Sequence, residues 1–279
     1  MPPTEVPLAS PGRLILSGAR TVPLLASRRL TRPSGPSEQT AIVTGVSRGL
    51  GAALGSELLG RGFTVLGIGR ASNPVLTGDR YRFLRFDLAD AAQVETTLAL
   101  AFEDLNERRP TSVCLLNNAA TVRPVGTLGR LAAEEIASAL TVNLAAAVTL
   151  ANLFCRVFTN ATTKRRVINV SSGAAEHALP GEALYCVAKA GIEMLTRTLA
   201  AEQQAPTFRA ITVRPGVIDT DMQLFARSQT PDDLPSVELF KGFHRQGRLV
   251  EPGVVASKII TRLVIGDVEN GRTYSYQEL

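Results

Sequence analysis

From residue 39 onward the chain alternates short, unbroken apolar runs with longer helix-patterned stretches, and this alternation limits the possible folds more than any other feature. Ala41-Ile42-Val43, Phe63–Ile68, Tyr81–Phe86, Val113–Leu116, Val167–Val170, Phe208–Val213 and Thr273–Tyr276 read as strands. Helices are expected after the first strand, with Leu50, Leu54 and Leu58 on one face, and near 91–107, 131–158, 183–203 and 251–264. Strands without a polar residue at every second place are buried on both faces, which implies a parallel sheet between two helical layers. Right-handed crossovers then give the expected fold class: α/β, a single Rossmann-type doubly wound parallel sheet of about seven strands. Ligands of such sheets bind at the carboxyl ends of the strands.

Composition narrows the function classes. The 279 residues are 45% apolar and 20% charged, in the globular range. Of the net charge of +5, residues 1–38 carry +3 through five Arg and two Glu. The body is therefore too weakly basic for a nucleic-acid face, and with no Trp and 5% aromatics it offers no stacking platform for single strands. Cys114, Cys155 and Cys186 have neither disulfide nor zinc spacing, so no metal is expected. No uninterrupted apolar run reaches the ~18 residues of a membrane span, and the chain reads as soluble, without a membrane partner. Residues 1–38, rich in Pro, Ser and Arg, read as a disordered or targeting-like extension, and residues 39–279 as the single folded domain. The cytoplasm is the expected location, the mitochondrion the alternative if the extension acts as a transit peptide.

The first strand leads into Thr44-Gly45-Val46-Ser47-Arg48-Gly49-Leu50-Gly51 and then a helix. A Gly-rich turn in that position lets the backbone approach a diphosphate and aims free N–H groups of the helix at it. Gly45, Ser47 and Gly49 also spell the G-x-S-x-G elbow of α/β-hydrolases, which keeps an esterase using Ser47 as an alternative. That reading needs a His, and only His177 and His244 exist; an elbow on the first strand also leaves no earlier strand for an oxyanion loop. Further along, the fifth apolar run ends in Ser171-Ser172, Tyr185 follows Ser172 by thirteen residues, and Lys189 lies one helical turn beyond it.

Taken in order, these motifs resemble the short-chain dehydrogenase/reductase family over residues 39–279. The matching features are Thr44–Gly51, Asp87, Asn117-Asn118-Ala119, Asn143, Ser172 with Tyr185 and Lys189, and Arg214-Pro215-Gly216-Val217-Ile218-Asp219-Thr220. Ala183–Lys189 and Asp219–Gln223 look most like the sepiapterin reductase and benzil reductase branch. The resemblance implies an NAD(P)-binding oxidoreductase that reduces a carbonyl to an alcohol. Tyr185 would donate the proton, made more acidic by the Lys189 ammonium. Ser172 would hydrogen-bond the carbonyl oxygen, Lys189 would also hold the nicotinamide ribose, and Asn143 would hold a water that relays protons to Lys189. A catalytically silent dinucleotide-binding sensor is the other alternative, although all four catalytic positions are filled.

For the cofactor, the resemblance implies contacts from Gly45, Ser47, Arg48, Gly49, Leu50, Gly51, Asp87, Leu88, Asn118, Ala119, Tyr185, Lys189, Pro215, Gly216, Ile218 and Thr220. Asp87 would meet the adenine amino group, and Ile218 and Thr220 the nicotinamide amide. The second strand ends Ile68-Gly69-Arg70-Ala71-Ser72, without the carboxylate that binds a free ribose 2′-hydroxyl. Arg70 and Arg48 suit a 2′-phosphate instead, so NADP(H) is expected over NAD(H). One departure from the family pattern is Ala120, where a Gly is usual. Residues 221–249, with Phe225, Phe240 and Phe243, read either as a lid over an apolar pocket for a hydrophobic ketone or diketone, or as a packed surface excursion. His177 lines that pocket or sits in a loop. Tyr274-Ser275-Tyr276 lacks the Asp of a pterin-specific relative, so sepiapterin is not expected as the substrate. Helices 131–158 and 183–203, apolar on more than one face, imply a homodimer or homotetramer.

Overall fold

The computed structural model describes residues 38–279. Except for Glu38, the reading given to residues 1–38 falls outside the described residues. Seven strands form one sheet: β1 (Gln39–Thr44), β2 (Thr64–Gly69), β3 (Tyr81–Arg85), β4 (Ser112–Asn117), β5 (Lys164–Val170), β6 (Phe208–Arg214) and β7 (Thr273–Ser275). Their order is β3-β2-β1-β4-β5-β6-β7, and every pair is parallel, with Ile42 opposite both Leu66 and Leu115 and with Val167 opposite Ala210. Succession reverses between β1 and β4, which opens a crevice at their carboxyl ends. The sheet is the expected doubly wound one.

The α-helices are α1 (Gly49–Gly60), α2 (Val94–Glu107), α3 (Ala133–Leu140), α4 (Ala146–Val157), α5 (Ala183–Glu202), α6 (Asp221–Arg227), α7 (Val237–Arg245) and α8 (Pro252–Ile259). Neighbouring residues of β1 serve opposite layers. Ile42 packs with Leu98 and Phe102 of α2 and Leu150 and Phe154 of α4, whereas Ala41 and Val43 pack with Leu54 and Leu58 of α1 and Ile259 of α8. Burial on both faces is the reason the strand sequences do not alternate.

Three boundaries differ from the sequence reading. β5 begins earlier, at Lys164-Arg165-Arg166, because two guanidiniums find buried acceptors at helix ends. Arg165 donates to the Phe158 carbonyl at 3.0 Å, and Arg166 to those of Leu263 and Val264 at 2.6 and 2.8 Å. The expected helix 131–158 is α3 and α4 joined through a wide π-helical turn, Thr141–Ala145, centred on buried Asn143. By length and composition Ala133–Val157 could cross a bilayer, but Leu150, Ala151 and Phe154 pack against the sheet. Finally, residues 221–249 contain helices α6 and α7, which share a small core of Ala226, Leu234 and Val237 with Val125 and Phe240.

Candidate active site

The crevice is built from the ends of β1 and β4. Gly45 takes φ +75°, a conformation open to Gly, and its N–H donates to the Ile68 carbonyl at 2.8 Å. Asn118 and Ala119 give their N–H groups to the Thr44 hydroxyl, both at 3.0 Å, and the Asn118 amide donates to the Thr44 carbonyl at 2.9 Å. These bonds lock the two strand ends together. A methyl group on Gly51 would run into the Gly45 carbonyl oxygen, so the helix can start this close to the turn only with Gly there. Asn73 steadies the turn by donating to the Ser47 carbonyl at 3.0 Å.

The start of α1 suits an anion. Arg48 occupies its N-cap without a side-chain cap, and no acid lies in the first turn, so the first N–H groups are free to bind phosphate oxygens. The Thr220 methyl group would touch a Cβ on Gly49, which brings the Pro215–Thr220 segment over the turn. Arg48 reaches across to Asp221 at 3.2 Å, an exposed pair of little energetic weight. Arg70 is exposed just past β2, and its guanidinium has no partner among the described residues. The Asp87 carboxylate accepts from the Ala89 N–H at 3.0 Å, and Leu88 is buried with Ala146 and Leu150. Pro215 is buried, Gly216 exposed, and Ile218 and Thr220 half-buried. Ala120 is half-buried between two anchored neighbours: Ala119, held by Thr44, and Thr121, held by Asn143.

Ser172, Tyr185 and Lys189 come together where β5 ends against α5. Ser172 lies close enough to the Tyr185 phenol to act on it, and the Lys189 ammonium lies 5.3 Å from the centre of the Tyr185 ring. The ammonium donates to the Val170 carbonyl at 2.7 Å, and burial brings its pKa down to about 8. The resemblance implied a more acidic phenol. Here burial pushes the Tyr185 pKa up, the Glu182 charge adds to the rise, and Ser172 opposes it. The shift is upward because the phenolate loses its solvation while the lysine charge is itself disfavoured and spent on a backbone carbonyl.

Asn143 is satisfied by the backbone: its amide donates to the Thr121 carbonyl and accepts from the Thr121 N–H, both at 2.7 Å. An internal cavity of about 10 Å³, the size of one water site, lies between Asn143, Asn117, Thr44 and Lys189. The buried Asn117 Oδ1 has no hydrogen-bond partner among the described residues. Beneath the site, Glu193 accepts from the Ser171 hydroxyl at 2.8 Å and forms two parallel bonds with Arg214, each 2.7 Å. This bidentate pair ties α5 to the end of β6, and the sequence reading missed it because the partners lie 21 residues apart. His177 and His244 are both exposed, and neither hydrogen-bonds Ser47.

Sequence reading also passed over Glu182, although an acid inside Gly181-Glu182-Ala183-Leu184-Tyr185 is a visible signal. Its side chain is buried, and burial pushes its pKa up to about 7 from an ordinary 4.5. A carboxylate raised on folding favours the native state while protonated, and loses that advantage as pH climbs through about 7. Glu182→Gln, always neutral, is expected to exceed the wild-type stability by about 3 kcal/mol near pH 8. Near pH 4 the two should match. Urea denaturation at both pH values checks this, and a gap independent of pH would count against the burial argument.

Comparison with known proteins follows the same outline. The family profile described as short chain dehydrogenase matches residues 39–231. A benzil reductase ((S)-benzoin forming) of Bacillus subtilis (strain 168) is 32% identical over 239 residues, covering 85% of this chain and 98% of the relative. A sepiapterin reductase of Rattus norvegicus is 28% identical over 254 residues, covering 85% and 96%. Among solved structures, the KRED1-Pglu enzyme superposes with a TM-score of 0.73 at 25% identity, covering 84% of this chain and 99% of that one. With the turn, the switch-point crevice and the Ser, Tyr and Lys side chains in the matched region, the chain belongs to the short chain dehydrogenase family and is an oxidoreductase of the kind that binds a nicotinamide dinucleotide.

Proposed function

We propose that the protein is an NADP(H)-dependent reductase that converts a hydrophobic ketone or diketone to an alcohol, with Tyr185 as the proton donor. The observation that carries this reading is the convergence of Ser172, Tyr185 and Lys189 beside the crevice. The residues present fit the cofactor: the uncapped start of α1 can take the diphosphate, and unpartnered Arg70 a 2′-phosphate. When bound, the cofactor supplies the hydride. The chain supplies the rest. Tyr185, its phenol kept protonated by burial, holds the proton destined for the carbonyl oxygen. Ser172 donates to that same oxygen as charge builds on it. Lys189, fixed by the Val170 carbonyl, presents a cation to the phenol as its proton leaves. Asn143 and Asn117 line a site for a water that returns a proton toward Lys189.

Similarity to benzil reductases supports a diketone, and α6 and α7 add Phe225, Phe240 and Phe243 beyond the Pro215–Thr220 segment. Val187 and Met194, seven residues apart on α5 and 59% and 54% exposed, support pairing of two chains as a homodimer or half of a tetramer. The reading is tested by following NADPH absorbance with benzil as substrate; no oxidation of NADPH would refute it. Arg70→Asp is expected to cut the preference for NADPH over NADH roughly ten- to hundredfold, by removing a charge-assisted bond to the 2′-phosphate. Wild-type protein that favours NADH would overturn the cofactor assignment.

A further inference from the structure

Glu182 has none of the usual reasons for a buried acid. It occupies the N-cap of α5, yet its side chain makes no capping hydrogen bond. The residue is 3% exposed, so solvent reaches its carboxylate only marginally. Its side chain forms no ion pair or hydrogen bond with any described residue, and burial alone shifts its pKa. A carboxylate in that state is unfavourable unless something else supplies a partner.

Its backbone is fixed on three sides. The Glu182 N–H donates to the Leu179 carbonyl and its carbonyl accepts from the Cys186 N–H, both at 2.9 Å. The preceding residues are clamped by the Gly126 N–H on the Gly181 carbonyl at 2.9 Å, and by the Ser236 N–H on the Pro180 carbonyl at 3.3 Å. Glu182 therefore sits in a rigid seam between α5, the segment after β4, and the segment leading into α7. Ser236, at the far side of that seam, has a buried hydroxyl that is likewise without a partner. Three residues on, the same helix presents Tyr185, close enough for the carboxylate charge to act on the phenol.

We propose that Glu182 determines substrate specificity by accepting a hydrogen bond from an amine or hydroxyl placed next to the reducible carbonyl. The inference rests on Tyr185 being the proton donor to that carbonyl, and it narrows the substrate from any apolar ketone to one carrying a donor beside the reacting group. A site built around an unpaired acceptor discriminates strongly against a substrate that leaves it unpaired, because the buried group then stays unsatisfied. An ammonium adds charge complementarity, which a neutral glutamine cannot return.

The test compares acetophenone, 2-hydroxyacetophenone and 2-aminoacetophenone with NADPH, using wild-type protein, Glu182→Gln and Glu182→Leu. Wild type is expected to favour the hydroxy and amino ketones over acetophenone by about ten- to hundredfold in kcat/KM. Glu182→Leu should erase that preference, bringing the kcat/KM ratio between the ketones close to one, whatever change in absolute kcat follows from removing the charge near the Tyr185 phenol. Glu182→Gln should keep part of it for the hydroxyl and lose it for the amine. Thermal melts of both variants report whether the fold is kept; an intact Glu182→Leu with the wild-type ratio overturns the assignment. Reduction of all three ketones at equal efficiency by wild type also overturns it, while leaving the reductase reading in place. Failure of wild type to oxidise NADPH with any carbonyl overturns both.

Discussion

Tyr185→Phe is expected to lower kcat for carbonyl reduction by about 10²- to 10⁴-fold while NADPH still binds. The substitution removes one oxygen and keeps the ring, so packing against α5 and the contact with Lys189 remain. What disappears is the proton that must reach the carbonyl oxygen as the hydride arrives. Ser172 cannot replace it, since a hydroxyl that stabilises charge by donation still holds its proton at the end. Because Lys189 is anchored by the Val170 carbonyl and not by the phenol, its position should survive the change. Single-turnover absorbance together with a separate NADPH titration distinguishes the two effects. Turnover near the wild-type rate would remove Tyr185 from the mechanism.

Gly51→Ala should be nearly as damaging, by a different route. The added methyl group would stand 2.5 Å from the Asn118 Nδ2 and 2.8 Å from the Gly45 carbonyl carbon, and closer still to its oxygen. These are backbone and locked side-chain atoms, so the turn itself has to move. Overpacking of this kind costs about 1–3 kcal/mol, which for a body of this size lowers Tm by roughly 2–12 °C. Displacing the α1 N-terminus loosens a charge-assisted N–H bond to the diphosphate and is expected to weaken NADPH binding about ten- to hundredfold. Gly60→Ala, at the far end of α1, meets nothing within 4 Å and serves as the control. Calorimetric titration of both variants checks the contrast, and equal affinities would refute it.

Much of the site was legible because it is local. The phosphate turn spans eight consecutive residues, and Tyr185 and Lys189 share a helix face by spacing alone. Arg70 could be placed at a strand end by counting from Ile68. What stayed hidden depends on residues distant in the chain. Arg165 and Arg166 lie outside the strand expected at Val167–Val170, and only their acceptors at Phe158, Leu263 and Val264 show why the strand includes them. Residues 221–249 stay open in the sequence between a lid and a packed surface excursion, because the small core of α6 and α7 draws on Val125 from far along the chain.

The amino-acid sequence by itself determined the order of strands and helices, their burial on both faces and the spacing of Ser172, Tyr185 and Lys189. Each of these follows from periodicity along a short stretch of chain. Only the tertiary structure decided which charges are left without partners. Lys189 turns to a backbone carbonyl, Arg48 leans on Asp221, and the Glu182 side chain bonds none of the described residues. Solvation and pairing are set by neighbours that folding brings in from far along the chain, and no local pattern encodes them.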